Sequence, residues 1–115
     1  MPGNLPFTII INGKEYVIYW WSNEKDTNPY KPIHVHLTKE EYGKTKENPK
    51  IYILSDNNVC LDEKFDFNQL NKNFKKDLRK DLKQILIEIS NFSDQIKELW
   101  IKDFKTIQYY DQQNN

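Results

Sequence analysis

The spacing of the hydrophobic residues changes once along this chain, near Phe65, and that change constrains the fold more than any other feature. Before Phe65 the apolar residues form short runs with a period of two, which is typical of β-strands. After Phe65 they recur at spacings of three and four, which predicts amphipathic helices. Neither an all-β nor an all-α fold accommodates both periods, so an α+β fold is predicted.

The first half predicts an antiparallel sheet of four or five strands within about residues 5–62. Residues 7–11 and 16–21 flank Asn12-Gly13, a strong hairpin signal because both residues accept a positive φ. Residues 33–38 alternate strictly and predict a third strand. A second hairpin is expected to join residues 51–54 to residues 59–61.

The second half predicts two helices within about residues 67–107 that pack on the sheet. Seven apolar residues mark the long first helix: Leu70, Phe74, Leu78, Leu82, Ile85, Leu86 and Ile89. Four mark the shorter second helix: Ile96, Leu99, Trp100 and Phe104. A length of 115 residues with no linker-like segment predicts one domain over residues 1–115.

Composition narrows the class of protein. The chain has 17 basic and 17 acidic residues, so its net charge gives no sign of nucleic-acid binding. No apolar run approaches the roughly 20 residues that cross a bilayer, and the N-terminus lacks the pattern of a leader, so a cytoplasmic protein is expected. The single Cys60 excludes an internal disulfide and a cysteine-rich zinc site.

His34 and His36 form the first candidate site. They alternate with apolar residues on the predicted third strand, so both project from one face, roughly 6.5–7 Å apart. Two imidazoles in this arrangement could ligate a divalent metal such as Zn, Ni or Fe, or act directly as acid and base. Four carboxylates are candidates for a third ligand: Glu24, Asp26, Asp62 and Glu63.

A structural role for the two histidines is the alternative, because no third ligand stands at a diagnostic spacing. In that interpretation both imidazoles lie on the outer face of the sheet and bond to the backbone. Trp20 or Trp21 would cover them in part. The two tryptophans point to opposite faces of a strand, so one is expected in the core and Trp21 is a candidate partner contact.

The second candidate site is a basic face of the long helix. Six cations lie opposite its apolar stripe: Lys72, Lys75, Lys76, Arg79, Lys80 and Lys83. Such a face could bind nucleic-acid phosphates or an acidic protein partner. A helical wheel places Asp77, Asp81 and Glu88 on a narrow edge between the cations and the stripe. Pairing of Asp77 and Asp81 within the helix would leave only a solvated lysine-rich surface, which is the alternative interpretation.

Two segments carry a resemblance to a known family. Tyr19-Trp20-Trp21-Ser22-Asn23-Glu24, followed after a loop by Pro32-Ile33-His34-Val35-His36, is similar to a signature of the small bacterial proteins called domain of unknown function 4160. The order of strands and helices, with Leu99-Trp100 and Phe104 near the end, agrees over about residues 5–104. The chain departs at Ile33, where the family usually has proline, and in longer loops on both sides of the histidines.

The resemblance implies a role but no established activity. Members of this family look like accessory proteins of toxin–antitoxin or mobile-element operons, often encoded beside another small protein. The resemblance therefore favours an interaction role and a functional use of His34 and His36.

Three functions are compatible with these observations. The first is a small bacterial accessory protein of toxin–antitoxin or defence-system type that binds a protein partner from the same operon or a nucleic acid. The second is a metal-dependent hydrolase or nuclease in which His34 and His36 hold the metal and Glu24 is third ligand or general base. The third is a purely structural subunit of a larger complex.

Overall fold

A computed structural model of the chain describes residues 7–20, 31–45 and 47–110. Five strands form one antiparallel sheet in chain order: β1 (Phe7–Ile11), β2 (Lys14–Tyr19), β3 (His34–Thr38), β4 (Lys50–Ile53) and β5 (Val59–Leu61). Two helices follow, α1 (Lys72–Asn91) and α2 (Ser93–Phe104). Short 3-10 turns occupy Glu40–Tyr42 and Phe67–Gln69. The predicted α+β fold is confirmed, with five strands.

The Asn12-Gly13 turn sets the register of the first hairpin. Asn12 has φ 52° and Gly13 has φ 77°, the pair of positive values that a two-residue hairpin turn requires. The register pairs Ile11 with Lys14 and Ile9 with Tyr16. Side chains paired in this way share a face, so the turn places the Lys14 side chain on the same face as the buried residues of β1 and β2.

The apolar core lies between this face of the sheet and α1. The sheet contributes Ile9, Ile11, Tyr16, Ile18, Val35, Leu37, Ile51 and Ile53. The first helix contributes Phe74, Leu78, Ile85 and Ile89. No helix in the described ranges is both long and apolar enough to cross a membrane.

The opposite face of the sheet is covered over β3 and β4. The Tyr110 ring stacks on Tyr52 with centroids 4.2 Å apart, and the Trp100 ring meets His34 edge-on at 5.4 Å. The backbone amide of Ile33 also donates to the carbonyl of Gln108 at 2.9 Å. All five residues of β3 are therefore buried. The alternative interpretation of His34 and His36 is therefore wrong in placing them on an outer face that is covered only in part, because α2 and the segment after it bury that face.

A buried carboxylate connects the first hairpin to α1. Asp81 has no exposed surface and accepts hydrogen bonds from Tyr16 Oη at 2.7 Å and Asn12 Nδ2 at 2.8 Å. Lys14 Nζ lies 2.7 Å from the same carboxylate. Burial raises the pKa of the Asp81 carboxyl, but the hydrogen bonds from Lys14, Tyr16 and Asn12 outweigh it and hold the pKa below its usual value.

Asp77 and Asp81 of α1 thus pair with lysines outside their own helix, Lys14 of β2 and Lys39 directly after β3. Asp77 accepts a hydrogen bond from Lys39 Nζ at 2.9 Å and lies 3.5 Å from Lys14 Nζ. Asp81 lies within the buried stripe of α1. The helical wheel instead predicts a position at the edge of that stripe. The pairing of Asp77 and Asp81 within the helix, on which the alternative interpretation of the basic face depends, is therefore wrong.

Replacement of Asp81 by Asn is expected to lower the free energy of unfolding by about 3 kcal/mol, because Lys14 loses its buried partner. Asp77→Asn is the matched control. Asp77 is partly exposed, so its loss is expected to cost less than about 1 kcal/mol. Urea denaturation at neutral pH measures both values. Equal values for the two variants would contradict a central role for the Asp81 contacts.

The stability of the protein is also expected to fall in acid through Asp81. Its pKa is lowered in the folded state, so the unfolded chain takes up a proton first as the pH drops below the usual value of 3.8. The stabilisation is complete above that value and is lost as the pH falls through the folded-state pKa. Denaturation midpoints measured from neutral pH to about pH 2 should fall less in Asp81→Asn than in the parent protein.

Candidate functional site

The two histidines of β3 lie side by side on the face opposite α1. Their ring centroids are 5.1 Å apart and the ring planes are nearly perpendicular, at 88°. Register places Tyr19 opposite His36 and Tyr52 opposite His34, and the rings of both tyrosines contact these imidazoles. The predicted common face of the two histidines is thus present in the fold.

Backbone carbonyls set the tautomer of both imidazoles. His34 Nδ1 lies 2.8 Å from the carbonyl oxygen of Pro32, and His36 Nδ1 lies 3.2 Å from that of Asn48. A carbonyl only accepts, so each Nδ1 donates and Nε2 is the nitrogen that carries the lone pair in the neutral ring. Metal-ligating histidines are oriented by the same kind of contact.

The surroundings of the pair are mostly aromatic. His34 is 0% exposed and His36 is 2% exposed. Asn48, also buried, donates to Tyr19 Oη at 2.7 Å and holds that ring against His36. Burial, followed by the charge of Asp62, raises the pKa of Tyr52 to about 12, so its phenol stays protonated at neutral pH.

The candidate third ligands divide into two groups. Glu24 and Asp26 lie outside the described residues, as does Trp21. Asp62 accepts from the backbone amide of Lys64, and Glu63 accepts from Tyr110 Oη. Within residues 7–20, 31–45 and 47–110, no three His, Cys, Asp or Glu residues lie close enough together to hold a metal ion. The structure thus brings neither Asp62 nor Glu63 into a three-ligand set with the histidines.

The cations of α1 form a second, separate surface, here called the basic surface. Its residues are Lys72, Lys75, Lys76, Arg79, Lys80 and Lys83. All are exposed except Lys75, which is half-buried. In the part of the chain that the structure describes, none of the six forms a salt bridge. Since Asp77 and Asp81 are paired with lysines outside the helix, the charge of this surface is not neutralised from within the helix.

A surface depression of about 620 Å³ lies at the N-terminal half of the basic surface. Its lining combines four cations with one apolar and one amide side chain: Leu70, Lys72, Asn73, Lys75, Lys76 and Arg79. The Arg79 guanidinium carbon lies over the Phe67 ring, 5.3 Å from its centroid. Neither the contact of Phe67 with Arg79 nor the lining role of Leu70 is predicted from the helical pattern. The feature of the sequence that could have indicated this contact is the pair Phe65-x-Phe67, which precedes the basic helix by a few residues.

Comparisons of the chain with models of protein families, with curated proteins and with solved structures find no match.

Replacement of His34 by Ala is expected to lower the free energy of unfolding by about 2–4 kcal/mol, because it opens a cavity beside Trp100 and leaves the Pro32 carbonyl without its donor. Chemical denaturation in the presence of a chelator measures this loss. Repeating it with added Zn²⁺ separates packing from ligation. A stabilisation by Zn²⁺ that the variant loses would contradict a purely structural role for the imidazole.

Proposed function

We propose that this protein binds nucleic acid through the basic surface of α1. The observation that supports the proposal is the charge distribution of the helix. Six cations face outward, while the two aspartates of α1, Asp77 and Asp81, are paired with Lys14 and Lys39 outside the helix. This surface therefore carries a local excess of positive charge that attracts an anionic polymer, although the net charge of the chain is zero.

The geometry favours phosphates over an acidic protein surface. From Lys72 to Lys83 the cations extend about 16 Å along one helix, at a rise of 1.5 Å per residue. Protein–protein interfaces usually need a desolvated apolar centre, whereas nucleic-acid binding needs mainly an array of cations. Leu70 is the one apolar residue in the lining of the depression. Five of the six cations are lysines, which suits sequence-independent contact with phosphate.

The biological setting that accompanies this proposal is an accessory protein of toxin–antitoxin or defence-system type. It is supported by the resemblance of the Glu24 and His34-x-His36 segments to domain of unknown function 4160. Such a protein would bind nucleic acid alone or together with a partner encoded in the same operon. Co-purification from the native host would identify that partner.

Charge reversal of the basic surface tests the proposal. The double variant Lys76→Glu/Lys80→Glu is expected to weaken binding of a labelled mixed-sequence oligonucleotide about tenfold or more at low salt. The slope of log affinity against log salt is expected to fall by roughly 1.4–1.8, since two phosphate contacts are lost. Fluorescence anisotropy across a salt titration measures both.

Lys44→Glu/Lys102→Glu is the matched control, because it makes the same change of charge at exposed residues outside the basic surface. Circular dichroism checks that both proteins are folded. If the two double variants bound with the same affinity, the basic surface would have no specific part in binding.

A metal-dependent hydrolase or nuclease is the second candidate, because both imidazoles are oriented as metal-ligating histidines are. Both Nδ1 atoms donate to backbone carbonyls, which directs ligation to Nε2. Elemental mass spectrometry of untagged protein tests this function, with His34→Ala/His36→Ala as control. Near-stoichiometric metal that the control lacks would support it, and equal metal in both proteins would oppose it.

A further inference from the structure

Arg79 differs from the lysines of the basic surface, since it lines the depression and its guanidinium lies over the Phe67 ring. We infer that Arg79 is a base-stacking residue and that the nucleic acid bound here is single-stranded. This inference rests on the proposed function and specifies its ligand.

Phe67 is held in place by its own short turn. It begins the 3-10 turn Phe67–Gln69, which Asp66 caps by accepting a hydrogen bond from the Asn68 amide at 2.9 Å. Its ring is half-buried against the hydrophobic core. Phe65 meets it edge-on, with centroids 5.4 Å apart. The ring is therefore held by its turn and by its packing, and it supports the guanidinium that lies over it.

The guanidinium over this ring is suited to stacking. It is planar and more weakly hydrated than an ammonium group, so it tolerates an aromatic ring on one face and a base on the other. Arg79 is exposed, and it lines the depression together with Leu70. It is also the only arginine of the chain. Lysine would supply the same charge to phosphate at this position but no stacking plane.

Stacking on Arg79 requires a base that is free to leave its neighbours. In a duplex the faces of the bases are already stacked on each other, and a protein meets only their edges and the phosphates. Single strands offer the faces of their bases to aromatic rings and guanidinium planes. The lysines of the basic surface would then follow the backbone while one base stacks beside Leu70 and Arg79.

The test is Arg79→Lys, which keeps the charge and removes the plane. Affinity for a single-stranded oligonucleotide is expected to fall about tenfold, while affinity for the duplex of the same sequence changes little. The slope of affinity against salt is expected to stay the same, because the number of charge contacts is unchanged. Phe67→Leu should produce the same selective loss, and combining it with Arg79→Lys should add little further loss.

Lys80→Ala is the control for a simple phosphate contact. It is expected to weaken single-strand and duplex binding alike and to reduce the single-strand salt slope by about 0.7. Equal effects of Arg79→Lys on both ligands, or none on either, would overturn the stacking role. The proposed function would survive that result as long as Lys76→Glu/Lys80→Glu still weakens binding.

Polyglutamate distinguishes a nucleic acid from an acidic protein as the occupant, because it carries charge but no bases. Polyglutamate binding as tight as that of the single strand would overturn the inference and identify an acidic polypeptide as the ligand. Much weaker binding of polyglutamate is the result that we expect. Loss of all oligonucleotide binding in Lys76→Glu/Lys80→Glu, with selective loss in Arg79→Lys, would support both proposals together.

Discussion

The carboxylate of Asp81 joins the two halves of this fold. A buried charge is tolerated only where its surroundings provide donors, and here Asn12, Lys14 and Tyr16 supply three from a single hairpin. The hairpin turn must therefore place Lys14 on the face of the sheet that packs against α1. The helix must in turn be positioned so that the Asp81 carboxylate reaches Lys14. Burial of Asp81 has a second consequence at the opposite side of the helix. It removes an acidic residue from the vicinity of the outward-facing cations.

Burial has a different effect on the histidines of β3. A central strand covered on both faces leaves its polar side chains no water, so each imidazole must find protein partners. The carbonyls of Pro32 and Asn48 provide them, and Tyr19 and Trp100 fill the remaining space. These contacts suit a packed histidine and a metal ligand equally well, because both need an oriented ring. The contacts at Nδ1 therefore fix the orientation of both rings and direct Nε2 away from the backbone carbonyls.

Local patterns in the sequence predict most of the fold and much less of the candidate sites. Periods of two and 3.6 residues, with Asn12-Gly13, are sufficient for the strands, the first hairpin and both helices. The partners of Asp81 are 65 or more residues away in the chain, beyond the reach of any local pattern. One sign was nonetheless present: Phe74, Leu78, Asp81 and Ile85 follow core spacing, and an acid at a core position requires donors elsewhere. No pattern in the sequence comparably indicates that Trp100 packs against His34.

Charge separation is the property that links this fold to its proposed ligand. A chain with equal numbers of acids and bases would attract nucleic acid only weakly if the charges were evenly mixed. Here Lys14 of β2 and Lys39, directly after β3, pair with Asp77 and Asp81, so the cations on the outside of the helix act together. Such an array recognises phosphate and carries no preference between single strands and duplexes. A preference for single strands requires a charged group that is also planar and can stack on a base. On this surface that group is the guanidinium of Arg79, which lies over the Phe67 ring.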